Sequence, residues 1–331
     1  MNLFIDANIF LDFYHLSGGD IEELKKLVAL IEEGDIVLFT SKQLQEEVRR
    51  NRDTKIFDAL KEFQKASFKV SFPAFCKHYP EYAEIQEALK TANSKHSQLL
   101  TKSTGDIKAE NLNADTLISD LFSKSKDIPV SQAIFNASIN RFRLGNPPGK
   151  KKVTMGDEVN WECLIEGVPQ IEELHFVSGD GDYASAIFPE ELNAFLQSEW
   201  KQKKESEICF YKSITDFFKK KFPDIKLASD IKVNKLIEKL AASGSFAITH
   251  VVISELSKQA QFSKVQVEEL VSILDLNTQV SWIIEDLDVK TFYRSILEKY
   301  GEIVSAPARQ TLNSLLFPEP EVPDMDEEIP F

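Results

Sequence analysis

Soft metal ligands are sparse in this sequence. Its three cysteines, Cys76, Cys163 and Cys209, are far apart and odd in number, which excludes a disulfide framework and argues against a thiolate metal site. The five histidines, His15, His78, His96, His175 and His250, form no His-x-x-x-His pair and no Cys/His pair. Any metal is therefore expected to be a hard ion held by oxygen. No apolar run approaches a membrane span, and Asp6 and Asp12 interrupt the apolar start. Neither a membrane helix nor a signal peptide is expected, and a cytoplasmic protein is predicted.

Positive charge is also short, with 39 Lys and Arg against 53 Asp and Glu and a net charge of −14. Six of those acids, Glu319, Glu321, Asp324, Asp326, Glu327 and Glu328, follow the last basic residue, Arg309. The rest of the chain is only mildly acidic, which disfavours a general nucleic-acid coat protein and permits a local basic groove.

What is present is enough apolar residue, 43% of 331, for one large domain and a smaller one. Leu3, Phe4 and Ile5 read as a strand buried on both faces. It stops at Asp6, with Asn8 two residues on. A carboxylate beyond the carboxyl end of an interior strand sits where open α/β sheets bind ligands; equally, Asp is a frequent helix cap. Further strands are expected at 36–39, 68–72, 174–177 and 208–211. Helices are expected at 21–33, 42–65, 82–96, 114–123 and 130–144, from Gly156, and over 212–222. The alternation predicts an α/β three-layer fold with a mainly parallel sheet. Residues 1–228 form the main domain, with a helical insertion over about 74–127. Residues 229–316 read as a small, mostly helical domain with a short strand at 281–284, and 317–331 as a disordered acidic tail.

Other carboxylates fall where strands hand over to helices: Glu46 and Glu47, Asp157, and Asp180 and Asp182 in Ser178-x-Asp-x-Asp. In a parallel sheet all converge on one edge with Asp6. Clustered carboxylates repel one another, and Mg²⁺ or Mn²⁺ would neutralise them. Near this edge stand Lys150, Lys151, Lys152 and Arg143, with Arg49, Arg50 and Arg52 on the helix of Glu47. Such groups suit backbone phosphates, and each run also suits a solvated face. Trp161 is expected in the core.

This order of motifs, strand-Asp-x-Asn, Glu early in the second long helix, Asp opening a later helix and Ser-x-Asp-x-Asp after a strand, resembles the PIN-domain nucleases. The insert and the Gly-Asn-Pro-Pro-Gly-Lys-Lys-Lys segment are similar to a bacterial PIN-like branch with an enlarged middle. The resemblance implies a metal-dependent endonuclease, RNA favoured and DNA possible, in which Asp6, Glu47, Asp157, Asp180 and Asp182 hold Mg²⁺ or Mn²⁺. It also implies that Asn8 orients Asp6 or a water on the ion. Glu46 is the alternative to Glu47. The last residues, ending Ile329-Pro330-Phe331, resemble the C-terminal tip of bacterial single-stranded-DNA-binding protein and imply a docked protein partner. Two other readings compete: a structure- or single-strand-specific DNA nuclease recruited by the tail, and a PIN-like scaffold that no longer cuts. A haloacid-dehalogenase-type phosphatase would need an acid where Asn8 stands.

Overall fold

The computed structural model describes residues 1–15, 20–149 and 154–317. The chain divides into two compact units, the first Met1–Ile225 and the second starting at Lys226.

The first unit follows the order β1 (Asn2–Ile5), α1 (Ala7–Asp12), α2 (Ile21–Glu32), β2 (Val37–Ser41), α3 (Lys42–Lys65), α4 (Pro80–Lys108), α5 (Asn113–Lys124) and β3 (Lys126–Ile128). It continues through α6 (Gln132–Leu144), α7 (Gly156–Gly167), β4 (Leu174–Val177), α8 (Ala194–Lys204), β5 (Ile208–Tyr211) and α9 (Ile214–Lys221). Every strand pairing is parallel, in the order β3-β2-β1-β4-β5. All four residues of β1 are buried, as an interior strand covered on both faces requires. Burying Leu3, Phe4 and Ile5 contributes roughly 2 kcal/mol each.

Trp161 of α7 lies edge-on to Phe176 of β4 and is fully buried, its indole N–H donating to Glu199 at 2.9 Å. Across the sheet, Phe217 of α9 meets His175 of β4. There α9 ties to α2 through Thr215, which donates to Glu23 at 2.7 Å, and through Lys26 over the Phe218 ring.

Two expected strands are absent from the sheet. Residues 66–73 form no ladder. Their alternating rings pack on α4 instead, Phe68 against His96 and Phe72 against Tyr82, while the Phe68 backbone exchanges hydrogen bonds with the Asn93 side chain. With those backbone groups satisfied by an amide, no strand partner is required. Residues 281–284 continue a short helix, Thr278–Ser281, into a turn, and Asn277 caps it by accepting from Gln279 N at 2.9 Å. Conversely, β3 is a strand that apolar pattern does not announce: of Lys126, Asp127 and Ile128 only Ile128 is buried. An edge strand needs one partner, and β2 supplies it. Within 74–127, α4 buries no residue, whereas α5 sinks Ala114, Ile118 and Leu121 into the core. The helical addition to the α/β layers is thus chiefly α4.

The second unit is helical throughout its described residues: α10 (Ala228–Ala241), α11 (Phe246–Ser257), α12 (Lys264–Leu276), α13 (Thr278–Ser281), α14 (Leu287–Tyr300) and α15 (Ala306–Leu316). Its core runs from Val233 to Leu316 and is its own, centred on Ile237, Leu270, Tyr293 and Leu312.

Candidate active site

The chain crosses from β1 to β2 on one side, whereas β4 lies on the other side of β1. The carboxyl ends of β1 and β4 therefore flank the point where the order reverses, the crevice where such sheets bind ligands. Asp6 leaves β1 there in extended conformation and caps α1, its Oδ1 accepting from Ala7 N at 2.8 Å. Its other oxygen accepts from Ser178 Oγ, beyond β4, at 2.7 Å. The cap reading and the site reading of Asp6 describe one carboxylate with two oxygens.

Ser178 organises the rest. Its hydroxyl oxygen accepts from Asp180 N at 3.0 Å, and Asp180 Oδ1 in turn accepts from Asp182 N at 2.9 Å. These two turns fold the loop back so that the carboxylates of Asp157, Asp180 and Asp182 lie within 4.8 Å of one another. Asn8 donates to Ser178 Oγ and accepts from Gly179 N, both at 3.4 Å. It braces Ser178 and thereby acts on Asp6 one bond removed.

From the other side, α3 begins at Ser41, whose Oγ accepts from Leu44 N and donates to Asn160 of α7. Leu44, Val48, Arg52 and Ile56 form the buried stripe of α3, which leaves Glu46 and Glu47 on different sides of it. Glu46 faces out and pairs with Lys42 and Arg50. Glu47 faces in: a Cβ at Gly156 would lie 3.2 Å from its Oε2 and 2.8 Å from Gln43 Nε2. Gly156 is the first residue of α7 and lets Asp157 approach α3 this closely.

The electrostatics follow from this crowding. Burial, then the charges of Asp157 and Glu47, push the Asp6 pKa up to about 7 against the pull of the Ser178 hydrogen bond. Tyr183 is fully buried, its hydroxyl 3.4 Å from the Asp157 carbonyl. Burial and the charges of Asp157, Asp6, Glu47 and Asp180 hold its phenol well above the usual range. An all-oxygen, mutually repelling donor set fits a hard divalent ion.

Several basic groups stand elsewhere. Arg52 is a buried partner of Asp115, in contact at 2.7 Å through both Nε and Nη2. Arg141 is buried against Glu162 and Glu199 and donates to the Pro147 carbonyl at 2.6 Å. Neither is a solvated charge or a phosphate ligand. Arg49 is exposed on the side of α3 away from Glu47 and lines a cavity with Glu46, Tyr14 and Asp115. Arg143 is exposed in the last turn of α6. Lys150, Lys151 and Lys152 lie outside the described residues, as do Ile329, Pro330 and Phe331. Arg141 holds the segment ahead of the lysine run at Pro147, and Gly149 passes so close to the buried Glu158 carboxylate that a Cβ there would come within 1.7 Å of it.

Beside the predicted acids the site also takes in Ser178, Tyr183 and Gly156. Ser178 was in plain view as the first residue of Ser-x-Asp-x-Asp, and its hydroxyl is what links Asp6 to Asp180. Tyr183 and Gly156 carry no local signal beyond adjacency to Asp182 and Asp157.

Among the described residues no helix is long and apolar enough to cross a membrane. No curated protein and no solved structure matches this chain. The family model described as PIN domain, a nuclease-like and typically metal-dependent fold whose substrates are nucleic acids, matches residues 3–183. That span holds β1, β4 and every carboxylate of the cluster, and the chain belongs to the PIN-domain family.

Proposed function

We propose that this protein is a metal-dependent endonuclease that hydrolyses phosphodiester bonds, with RNA as the favoured substrate. The observation that carries this is the convergence of Asp6, Glu47, Asp157, Asp180 and Asp182 at the switch point of the sheet, with Asp6 buried and crowded by like charge. Capping α1 accounts for one buried carboxylate, Asp6, and gives no reason to gather further acids around it; a cation site does.

In this reading Asp6, Glu47, Asp157 and Asp180 hold Mg²⁺ or Mn²⁺, and Asp182 is the auxiliary acid. When bound, the ion lowers the pKa of an attacking water and stabilises the leaving oxygen. The chain's own residues supply position: Ser178 and Asn8 fix the Asp6 carboxylate, Gly156 brings Asp157 against α3, and Tyr183 lies buried with its hydroxyl at the Asp157 carbonyl. Lys150, Lys151, Lys152 and Arg143 hold backbone phosphates, which confers affinity without reading sequence. The free cysteines suit a reducing, cytoplasmic setting. The tip Ile329-Pro330-Phe331 is the docking element for a protein partner.

The test is incubation with labelled single-stranded RNA, single-stranded DNA and duplexes in Mg²⁺ or Mn²⁺, beside Asp6→Asn. Cleavage of single-stranded RNA that needs the ion and vanishes in the variant is expected. Preferred cleavage of DNA would replace the substrate assignment, and full activity in Asp6→Asn would remove the site.

A further inference from the structure

The opposite end of the sheet carries a second group of donors. Glu173 immediately precedes β4, and His175 of β4 lies beside Cys209 of β5 in the parallel register. Five residues of extended chain, roughly 16 Å, separate Glu173 from Ser178 and the carboxylate cluster. One ligating atom each from Glu173, His175 and Cys209 lies within 4.8 Å of the other two. Cys209 Sγ donates to Glu173 Oε1 at 2.8 Å, and His175 Nε2 is 3.6 Å from that oxygen. The other ring nitrogen, Nδ1, is hydrogen-bonded to the Tyr211 hydroxyl at 3.0 Å.

We propose that Glu173, His175 and Cys209 form a zinc site, with water as the fourth ligand on the open side. Sulfur, imidazole nitrogen and carboxylate oxygen together suit zinc and do not suit magnesium or calcium. Tetrahedral zinc with bonds of about 2.0–2.3 Å spaces its ligands roughly 3.5 Å apart, close to the separations already present. The Tyr211 bond orients the ring, as partners of ligating histidines do.

On binding, the Cys209 S–H bond breaks, the sulfur lone pair goes to zinc and the proton leaves to solvent, with no change of oxidation state. Lys221, whose Nζ is 3.7 Å from Glu173 Oε1, is the resident cation. Its side chain is 31% exposed and swings out as the ion enters. The bound ion clips edge strand β5 to β4. This site shares no residue with the carboxylate cluster and does not depend on the nuclease reading.

Cobalt(II) reports on it directly. The full-length protein, held in excess Mg²⁺ to occupy oxygen sites, is titrated with Co²⁺. One equivalent should raise a near-ultraviolet thiolate-to-cobalt absorption that an all-oxygen site cannot give. Added Zn²⁺ should abolish it, Cys209→Ser should lack it, Cys76→Ser should keep it, and Tyr211→Phe should weaken binding about tenfold. No such absorption, or its survival in Cys209→Ser, overturns the proposal. A second measurement needs no variant: alkylation of Cys209 by iodoacetamide, mapped by mass spectrometry on the native protein. Zinc should slow it roughly tenfold or more, with EDTA restoring the rate; equal rates with and without zinc also overturn it.

Discussion

Asp6 concentrates the site's physics in one side chain. With a pKa of about 7 in the fold against an ordinary value of 3.8, it keeps its proton while the unfolded chain loses its own. Without metal, therefore, its contribution to stability falls as pH rises from about 4 to 7 and stays low above. Asp6→Asn removes the charge and part of the Ser178 hydrogen bond, so it should stabilise the metal-free protein by roughly 2 kcal/mol at pH 8 and by little at pH 4. Denaturant melts at the two pH values, in EDTA, check this; a gain that does not grow with pH would refute the buried, crowded carboxylate. Glu47 and Glu46 give the second test. Glu47→Gln should cost at least about 100-fold in cleavage rate, on the scale of losing a group that stabilises transition-state charge. Glu46→Gln, whose parent is exposed and paired with Lys42 and Arg50, should stay within about twofold. A reversed order would assign the ligand to Glu46.

At the scale of elements, α3 shows why a basic run is a poor guide by itself. Arg49, Arg50 and Arg52 are near neighbours in sequence, yet helical geometry sends them to different surroundings, and only Arg52 turns inward to Asp115 of α5. Burial of one side chain with a bidentate partner makes its loss expensive: Arg52→Ala should destabilise the fold by about 3–5 kcal/mol. The melting temperature should fall together with that of Asp115→Ala, and the double variant should lose much less than the sum. Additive losses would show that the pair does not act as a unit. The strand at 68–72 fails for a related reason. Alternating Phe and Val carry a face but not a partner, and here α4 supplies the face and Asn93 the hydrogen bonds. The lysine run is tested as an element. Replacing Lys150, Lys151 and Lys152 together by Ala should weaken nucleic-acid binding similarly across sequences and make its salt dependence shallower by up to about three in log-log slope. An unchanged slope would place the substrate elsewhere.

For the whole molecule, the first unit carries the sheet and the carboxylates, and the second unit has a core of its own. That arrangement suits a nuclease with a separate helical module, to which the acidic tail is joined in sequence. Deleting Phe331 should abolish binding to a partner that reads the tip, by losing roughly 2 kcal/mol of apolar burial and moving the terminal carboxylate. It should leave cleavage of a short substrate unchanged. Undiminished binding would mean the tail acts only through its charge, and faster cleavage would mean that the tip restrains the enzyme. The sequence by itself determined β1, β4 and β5 and the acids beside them, because buried parallel strands write themselves as short apolar runs and the family's motifs sit at their ends. It also placed Trp161 in the core. Only the tertiary structure set Glu47 beside Gly156 and paired Glu46 with Lys42 and Arg50 on another side of α3. Only the fold buried Arg52 and Arg141, and only the fold joined Glu173, His175 and Cys209 across 36 residues. Those outcomes depend on which elements are neighbours in space, and residue spacing along the chain holds no record of that.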